Sequence, residues 1–143
     1  MRRNILRIAG VFLAVVILAV SAFVWASGSK KHLMTYEEAM QDKKPFIVMF
    51  YAPWCSYCHK FMPTYEDLSV DYKGEYNFVT INGEDVAYYS VVRDYAVGMY
   101  PTIYIIDPTI DNRILINNKL LGDVNKVKAE FDRYLRIRAM IKQ

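Results

Sequence analysis

The chain has 143 residues, 54% hydrophobic and 23% charged, with two cysteines and a formal net charge of +3. Without its apolar N-terminus about 110 residues remain, enough for one domain of ordinary size and too few for a second. Arg2, Arg3, Arg7, Lys30 and Lys31 precede the first acid, so the remainder carries about −2 and the basic balance gives no ground for a nucleic-acid partner. The only later Lys/Arg cluster, in the C-terminal helix, is interleaved with Glu130 and Asp132 and reads as a solvated face.

Residues 1–31 read as a signal peptide or signal anchor. Ile8 to Ser29 contains no charge and follows three arginines, the pattern of an export segment. The apolar run over residues 8–26 approaches the roughly 20 residues that cross a bilayer, which favours an uncleaved anchor. Val24-Trp25-Ala26 also offers small residues for cleavage after Ala26, in which case the product is secreted. The arginines on the N-terminal side orient the following domain, 32–143, outside the cytoplasm.

Thr35-Tyr36-Glu37-Glu38 has the form of a capping box and predicts a short helix to about Gln41. After Pro45, Phe46 to Tyr51 is a continuous apolar run of strand length, expected to be buried on both faces. It leads directly into Ala52-Pro53-Trp54-Cys55-Ser56-Tyr57-Cys58-His59. Cys58, Phe61 or Met62, Tyr65 and Leu68 then recur at helical spacing, with Pro63 predicting a kink. Asn77 to Ile81 reads as a second strand closed by Asn82-Gly83. Asp85 is placed to cap a helix through about Tyr95, with Gly98 as its stop. Tyr100 to Ile106 forms a third predicted strand whose second residue is Pro101, and Arg113 to Ile116 pairs back as a fourth. Gly122-Asp123 introduces a last helix, with Val124, Val127, Phe131 and Leu135 as its buried stripe. The pattern α-β-α-β-α-β-β-α is that of an α/β sandwich.

Three chemistries compete for Cys55 and Cys58. As C-x-x-C they are a redox dithiol; as C-x-x-C-H, with His59 as an axial ligand, they are a c-type haem attachment pattern. As exported cysteines they could be a structural staple. A bridge closing so small a loop constrains the unfolded chain little, which argues against the staple. The strand-to-helix junction in a sheet-forming chain argues for the dithiol over haem.

The placement of Trp54-Cys55-Ser56-Tyr57-Cys58, Pro63 one turn further on, Tyr100-Pro101-Thr102 about 40 residues later and Gly122 before the closing helix together resemble the thioredoxin superfamily. The resemblance covers roughly Thr35 to Tyr134 and implies a thioredoxin fold, a central mixed sheet flanked by helices. Tyr51-Ala52-Pro53-Trp54-Cys55 and Tyr100-Pro101-Thr102 look most like the protein disulfide isomerase branch, and the short tethered domain looks like bacterial extracytoplasmic members. It implies an extracytoplasmic thiol-disulfide oxidoreductase, a reductase or isomerase, periplasmic and held at the inner membrane. Cys55 would be the nucleophile, its thiolate favoured by the helix N-terminus, and Cys58 the resolving cysteine. Pro101, in the cis form, would present the Tyr100 backbone to an extended client flanked by Trp54 and Tyr57. The implied partners are exported proteins with thiols or disulfides and a membrane electron donor; no metal and no cofactor beyond the cysteine pair is implied. The contrasting reading is a non-catalytic binding or chaperone module whose groove holds unfolded clients. One departure from the family stands out: Met49 occupies the strand position where many members bury an acid beneath the second cysteine, and Thr80 stands where a lysine is frequent.

Overall fold

A computed structural model describes residues 33–141; the expected signal or anchor segment lies outside them. Five strands form one sheet: β1 (Leu33–Met34), β2 (Phe46–Tyr51), β3 (Asn77–Asn82), β4 (Thr102–Asp107) and β5 (Asn112–Ile116), in the order β1-β3-β2-β4-β5. The helices are α1 (Tyr36–Gln41), α2 (Ser56–Asp71), α3 (Tyr89–Asp94) and α4 (Val124–Ile141), with short 3-10 turns at Val86–Tyr88 and Asn118–Leu120. Strands β1, β3 and β2 are mutually parallel, whereas β4 runs antiparallel to β2 and forms a hairpin with β5. The sheet is therefore mixed, as expected.

The unbroken apolar run of β2 is explained by helices on both sides of it. Alternate side chains of a strand point to opposite faces. Ile47 and Met49 enter a core with Phe61, Tyr65 and Leu68 of α2 and Val127 and Phe131 of α4. Phe46, Val48 and Phe50 enter a second core with Ala39 of α1 and Tyr95, against which Val91 and Val92 of α3 pack. Central position in the sheet holds β2 rigidly, and its C-terminal end delivers the cysteine loop.

The capping box forms as the sequence predicts: Thr35 Oγ1 accepts from the Glu38 amide at 3.2 Å, and Glu38 Oε2 accepts from the Thr35 amide at 2.9 Å. Hydrogen bonding of the carboxylate to Thr35, first to its amide and then to its side chain, holds the Glu38 carboxyl below its ordinary value. Helix α2 continues through Pro63 as a single assigned segment. Proline removes the donor that the His59 carbonyl would otherwise meet, yet the face carrying Phe61, Tyr65 and Leu68 stays buried. Tyr65 reaches under the sheet, its hydroxyl 2.8 Å from the Ile47 carbonyl oxygen and 2.7 Å from that of Val79, tying α2 to β2 and β3.

Several predicted boundaries differ. The two-residue strand β1 was not legible, being too short for a period. Asp85 does cap, accepting from the Ala87 amide at 3.0 Å, but it starts a 3-10 turn that passes into the short α3. The chain leaves α3 through Ala96, in the left-handed region at φ 48°, so Gly98 is not the stop. Tyr100 and Pro101, joined by a cis peptide bond, precede β4 instead of lying within it. In α4 the buried residues are Val127, Phe131 and Tyr134; Val124, in the first turn, is 38% exposed, and Leu135 is half-buried. Tyr134 takes the inner position because a carboxylate awaits its hydroxyl.

That carboxylate is Asp107, fully buried at the end of β4. It accepts from Tyr134 Oη at 3.0 Å, from Arg138 Nε, and from both the amide and the hydroxyl of Thr109. Burial by itself would push its carboxyl up, but the bonds from Thr109, Arg138 and Tyr134 together outweigh burial and hold it below the ordinary value. The cluster fastens the β4–β5 turn to α4 at the end of the sheet remote from the cysteines.

Candidate active site

Cys55 is the N-cap of α2. With extended backbone angles, φ −76° and ψ 101°, it directs its Sγ at the first turn, where the sulfur accepts from the Cys58 amide at 3.1 Å. Cys55 and Cys58 are joined as a disulfide across a Cα separation of 5.2 Å. Both are buried, 4% and 1% exposed, with Ala52 beneath them and Tyr51 and Tyr100 packed alongside. An N-terminal turn presents amides unpaired within the helix and the positive end of its dipole, and Cys55 Sγ lies against that turn.

Around this buried pair stand exposed aromatics. Trp54 and Tyr57 are 68% and 74% exposed, an unusual state for such large rings. The Trp54 indole lies edge-on to Tyr100 with ring centroids 6.0 Å apart, and donates from Nε1 to Glu84 Oε1 at 2.6 Å. Tyr57 has the Lys60 ammonium 5.8 Å from its ring centroid. The peptide between Tyr100 and Pro101 is cis, and Asn118 Nδ2 donates to the Pro101 carbonyl at 2.8 Å. A groove of about 510 Å³ runs beside the loop, walled by Tyr57, Phe61, Tyr100, Pro101, Asn118 and Leu121. Burial first, and then the nearby Glu84 charge, push the Tyr100 phenol above its ordinary value.

The six residues singled out in the sequence are thus brought to one end of the sheet, on two sides of Tyr100. Tyr57 and Pro101 share the groove, whereas Trp54 lies on the Glu84 side. Sequence reading missed Gly83, Glu84 and Asn118. Gly83 has a visible cause in retrospect: a Cβ there would collide with the Tyr100 hydroxyl and come within 2.6 Å of its ring carbons. Glu84 and Asn118 left no signal, since an exposed acid in a turn and an asparagine in a loop are ordinary.

His59 is exposed, but its ring is engaged. Its Nε2 lies 2.7 Å from the Pro53 carbonyl oxygen, so that nitrogen carries the proton and the ring braces the turn before Cys55. Among the described residues no group of three or more His, Cys, Asp or Glu side chains could hold a metal ion. Met49 is fully buried in the core on the α2 side of β2. Among the described residues the one buried carboxylate is Asp107. It lies one residue beyond the Ile106–Phe46 pairing, at the opposite end of β2 from the cysteine loop, about 20 Å from the level of Tyr51 at 3.3 Å per residue. No buried acid of the described residues therefore serves Cys58.

The family model for thioredoxin matches residues 29–128. A protein disulfide-isomerase of Schizosaccharomyces pombe is 44% identical over 66 residues, 45% of this chain and 18% of that protein. The chloroplastic thioredoxin-like protein HCF164 of Arabidopsis thaliana is 31% identical over 74 residues, 52% of this chain and 28% of that protein. In fold, the chain is similar to the Trx4 domain of ERdj5, with a TM-score of 0.60, 23% identity, and coverage of 74% of this chain and 97% of that one. The chain spans less than a third of the length of the curated relatives it matches. With a family model matched over most of its length, this sheet order, and a cysteine pair bridged at the start of α2 beside a cis-proline, the chain belongs to the thioredoxin family.

Proposed function

We propose that the domain is a thiol-disulfide oxidoreductase, a reductase or isomerase, acting on exported proteins through Cys55 and Cys58. The observation that carries this reading is the bridged pair itself, capping a helix next to the cis-Pro101 loop and an apolar groove. In the reductive direction the Cys55 thiolate attacks one sulfur of a client disulfide. That client bond breaks, a client thiolate leaves and takes a proton from water, and a mixed disulfide remains. Cys58, having released its proton, attacks Cys55 Sγ; the second client thiolate departs and the Cys55–Cys58 bond forms. Two electrons pass from the protein dithiol to the client disulfide, and a membrane donor must restore the dithiol. In isomerisation another client thiolate attacks the client sulfur of the mixed disulfide, a new client disulfide forms and the Cys55 thiolate leaves, with no net transfer of electrons.

Trp54, Tyr57, Tyr100 and Pro101 supply the client-binding surface in this reading, with exposed aromatic area at low conformational cost. The export segment over residues 8–26 supports a place outside the cytoplasm, periplasmic and anchored to the inner membrane, or secreted if it is cleaved. A protein-binding module without turnover is the second reading, favoured by the exposed Trp54 and Tyr57 rings, which would hold an unfolded client equally well.

Insulin reduction by the full-length chain in detergent separates the two. The oxidoreductase turns over and Cys55→Ser abolishes it; absence of turnover in the parent leaves the binding module. Equilibration with glutathione gives the direction: a potential near that of thioredoxins supports reduction, and one far more oxidising supports an oxidase.

A further inference from the structure

We infer that Glu84 is a positioning residue for client binding. Its carboxylate holds the Trp54 indole and thereby ties three loops into one preformed wall beside Cys55. The inference rests on the oxidoreductase reading of the site and assigns a role to a residue outside its motif.

Trp54 is 68% exposed, yet its single polar atom is engaged at 2.6 Å by a side chain 30 residues away. Indole Nε1–H can only donate, and the charged carboxylate is the stronger kind of acceptor. Glu84 is itself presented from a pinned turn: its amide donates to Asn82 Oδ1 at 3.1 Å, and the Asp85 amide donates to the Asn82 carbonyl at 3.1 Å. The other edge of the tie is Tyr100. Its ring meets Trp54 at 6.0 Å, its tip fills the space left by the missing side chain of Gly83, and it packs against Ala52, Cys55 and Cys58. The β2–α2 loop through Trp54, the β3–α3 loop through Gly83 and Glu84, and the α3–β4 loop through Tyr100 thus meet at one carboxylate and two rings.

Chemistry at the sulfurs does not need this tie, since the Glu84 carboxylate is engaged by the Trp54 indole and makes no hydrogen bond to either cysteine. What the tie changes is the state of Trp54 before a client arrives. An untethered indole beside Cys55 samples several rotamers and must be ordered on each encounter, which weakens binding by about two- to tenfold for one side chain. Preorganisation of this kind acts on KM and leaves kcat alone.

The test uses the full-length chain with insulin as substrate. Glu84→Ala is expected to raise KM by about two- to tenfold with kcat within about twofold, and Glu84→Gln, which keeps an acceptor oxygen, is expected to restore most of the difference. In a Trp54→Phe background Glu84→Ala is expected to add nothing, because the partner is gone. In ¹⁵N spectra the indole resonance assigned by Trp54→Phe should move on Glu84→Ala and return on Glu84→Gln. An unchanged KM in Glu84→Ala, or the same increase with and without Trp54, overturns the proposal. If the parent shows no turnover, the oxidoreductase reading falls instead. Affinity for carboxymethylated insulin B chain and the indole resonance then decide the tie by the same comparisons, a shift in both supporting it and none overturning it.

Discussion

Gly83→Ala sets two effects of opposite sign against each other at the edge of the site. Gly83 does not occupy the left-handed region, so alanine fits its backbone and, by restricting the unfolded chain, would stabilise by about 0.4–1 kcal/mol. Against this, the added Cβ overlaps the Tyr100 hydroxyl and lies 2.6 Å from Cε1 and Cζ of that ring. The ring has little freedom to yield, being fitted between Trp54 and the buried cysteine cluster. Overpacking of this kind costs about 1–3 kcal/mol, so at the middle of both ranges the collision wins by about 1.3 kcal/mol. For a domain of this size that is a fall in Tm of about 5–10 °C. Urea unfolding of parent and variant, with an unchanged m-value, measures the loss directly. Two controls isolate the cause. Gly98→Ala, with nothing within 4 Å of its Cβ, should be neutral or slightly stabilising. In a Tyr100→Ala background Gly83→Ala should lose its penalty, a non-additivity expected of residues in contact. A ring that swung aside would spare stability but leave Trp54 and the cysteines, and would register as a raised KM for insulin. Unchanged stability together with unchanged KM refutes the reasoning.

Asp107→Asn should destabilise by about 3 kcal/mol, the low end for a broken buried pair, since the Arg138 side chain keeps 18% exposure to water; urea unfolding at neutral pH checks it. The same carboxyl makes stability pH-dependent: its folded pKa is lowered, so its contribution is complete above the ordinary carboxylate range and is lost as pH falls through the lower folded value. The acid limb of a stability profile should therefore flatten in Asp107→Asn relative to the parent. Tyr65→Phe removes a hydroxyl donated to the Ile47 and Val79 carbonyl oxygens and should cost about 1 kcal/mol with kcat unchanged; a larger effect on kcat would move Tyr65 into the chemistry. Cys58→Ser should accumulate a covalent adduct with a client disulfide, visible as an added mass that dithiothreitol removes, whereas Cys55→Ser should form none.

How much was legible in the sequence differs from element to element, for physical reasons. The capping box of α1, the apolar run of β2 and the helical spacing of Phe61, Tyr65 and Leu68 are local patterns, and each appears as read. The pair Cys55 and Cys58 was equally legible, because three residues of spacing at a strand-to-helix junction determine that one cysteine caps the helix and the other lies a turn inside it. The absence of an acid on β2 was also visible at Met49, since a strand's register assigns each position to a face.

Other features depend on partners distant in the chain. Apolar spacing puts Val124 in the core and leaves Tyr134 out of it, whereas in the fold Tyr134 is buried and Val124 exposed. Apolar periodicity ranks side chains by hydrophobicity, and only the folded structure shows Asp107 placed 27 residues away to receive the Tyr134 hydroxyl. The helix after Asp85 ends near Tyr95 as expected, but it opens as a 3-10 turn, and nothing local announces that Ala96 takes the left-handed position in place of Gly98. The wall of the site was least legible of all. Trp54 and Tyr100 could be named from their neighbours in the chain, but Gly83, Glu84 and Asn118 matter through contacts with them across loops. Covalent order determined the sulfur pair and the strand that carries it. The surroundings of that pair were decided only when three loops met at one end of the sheet.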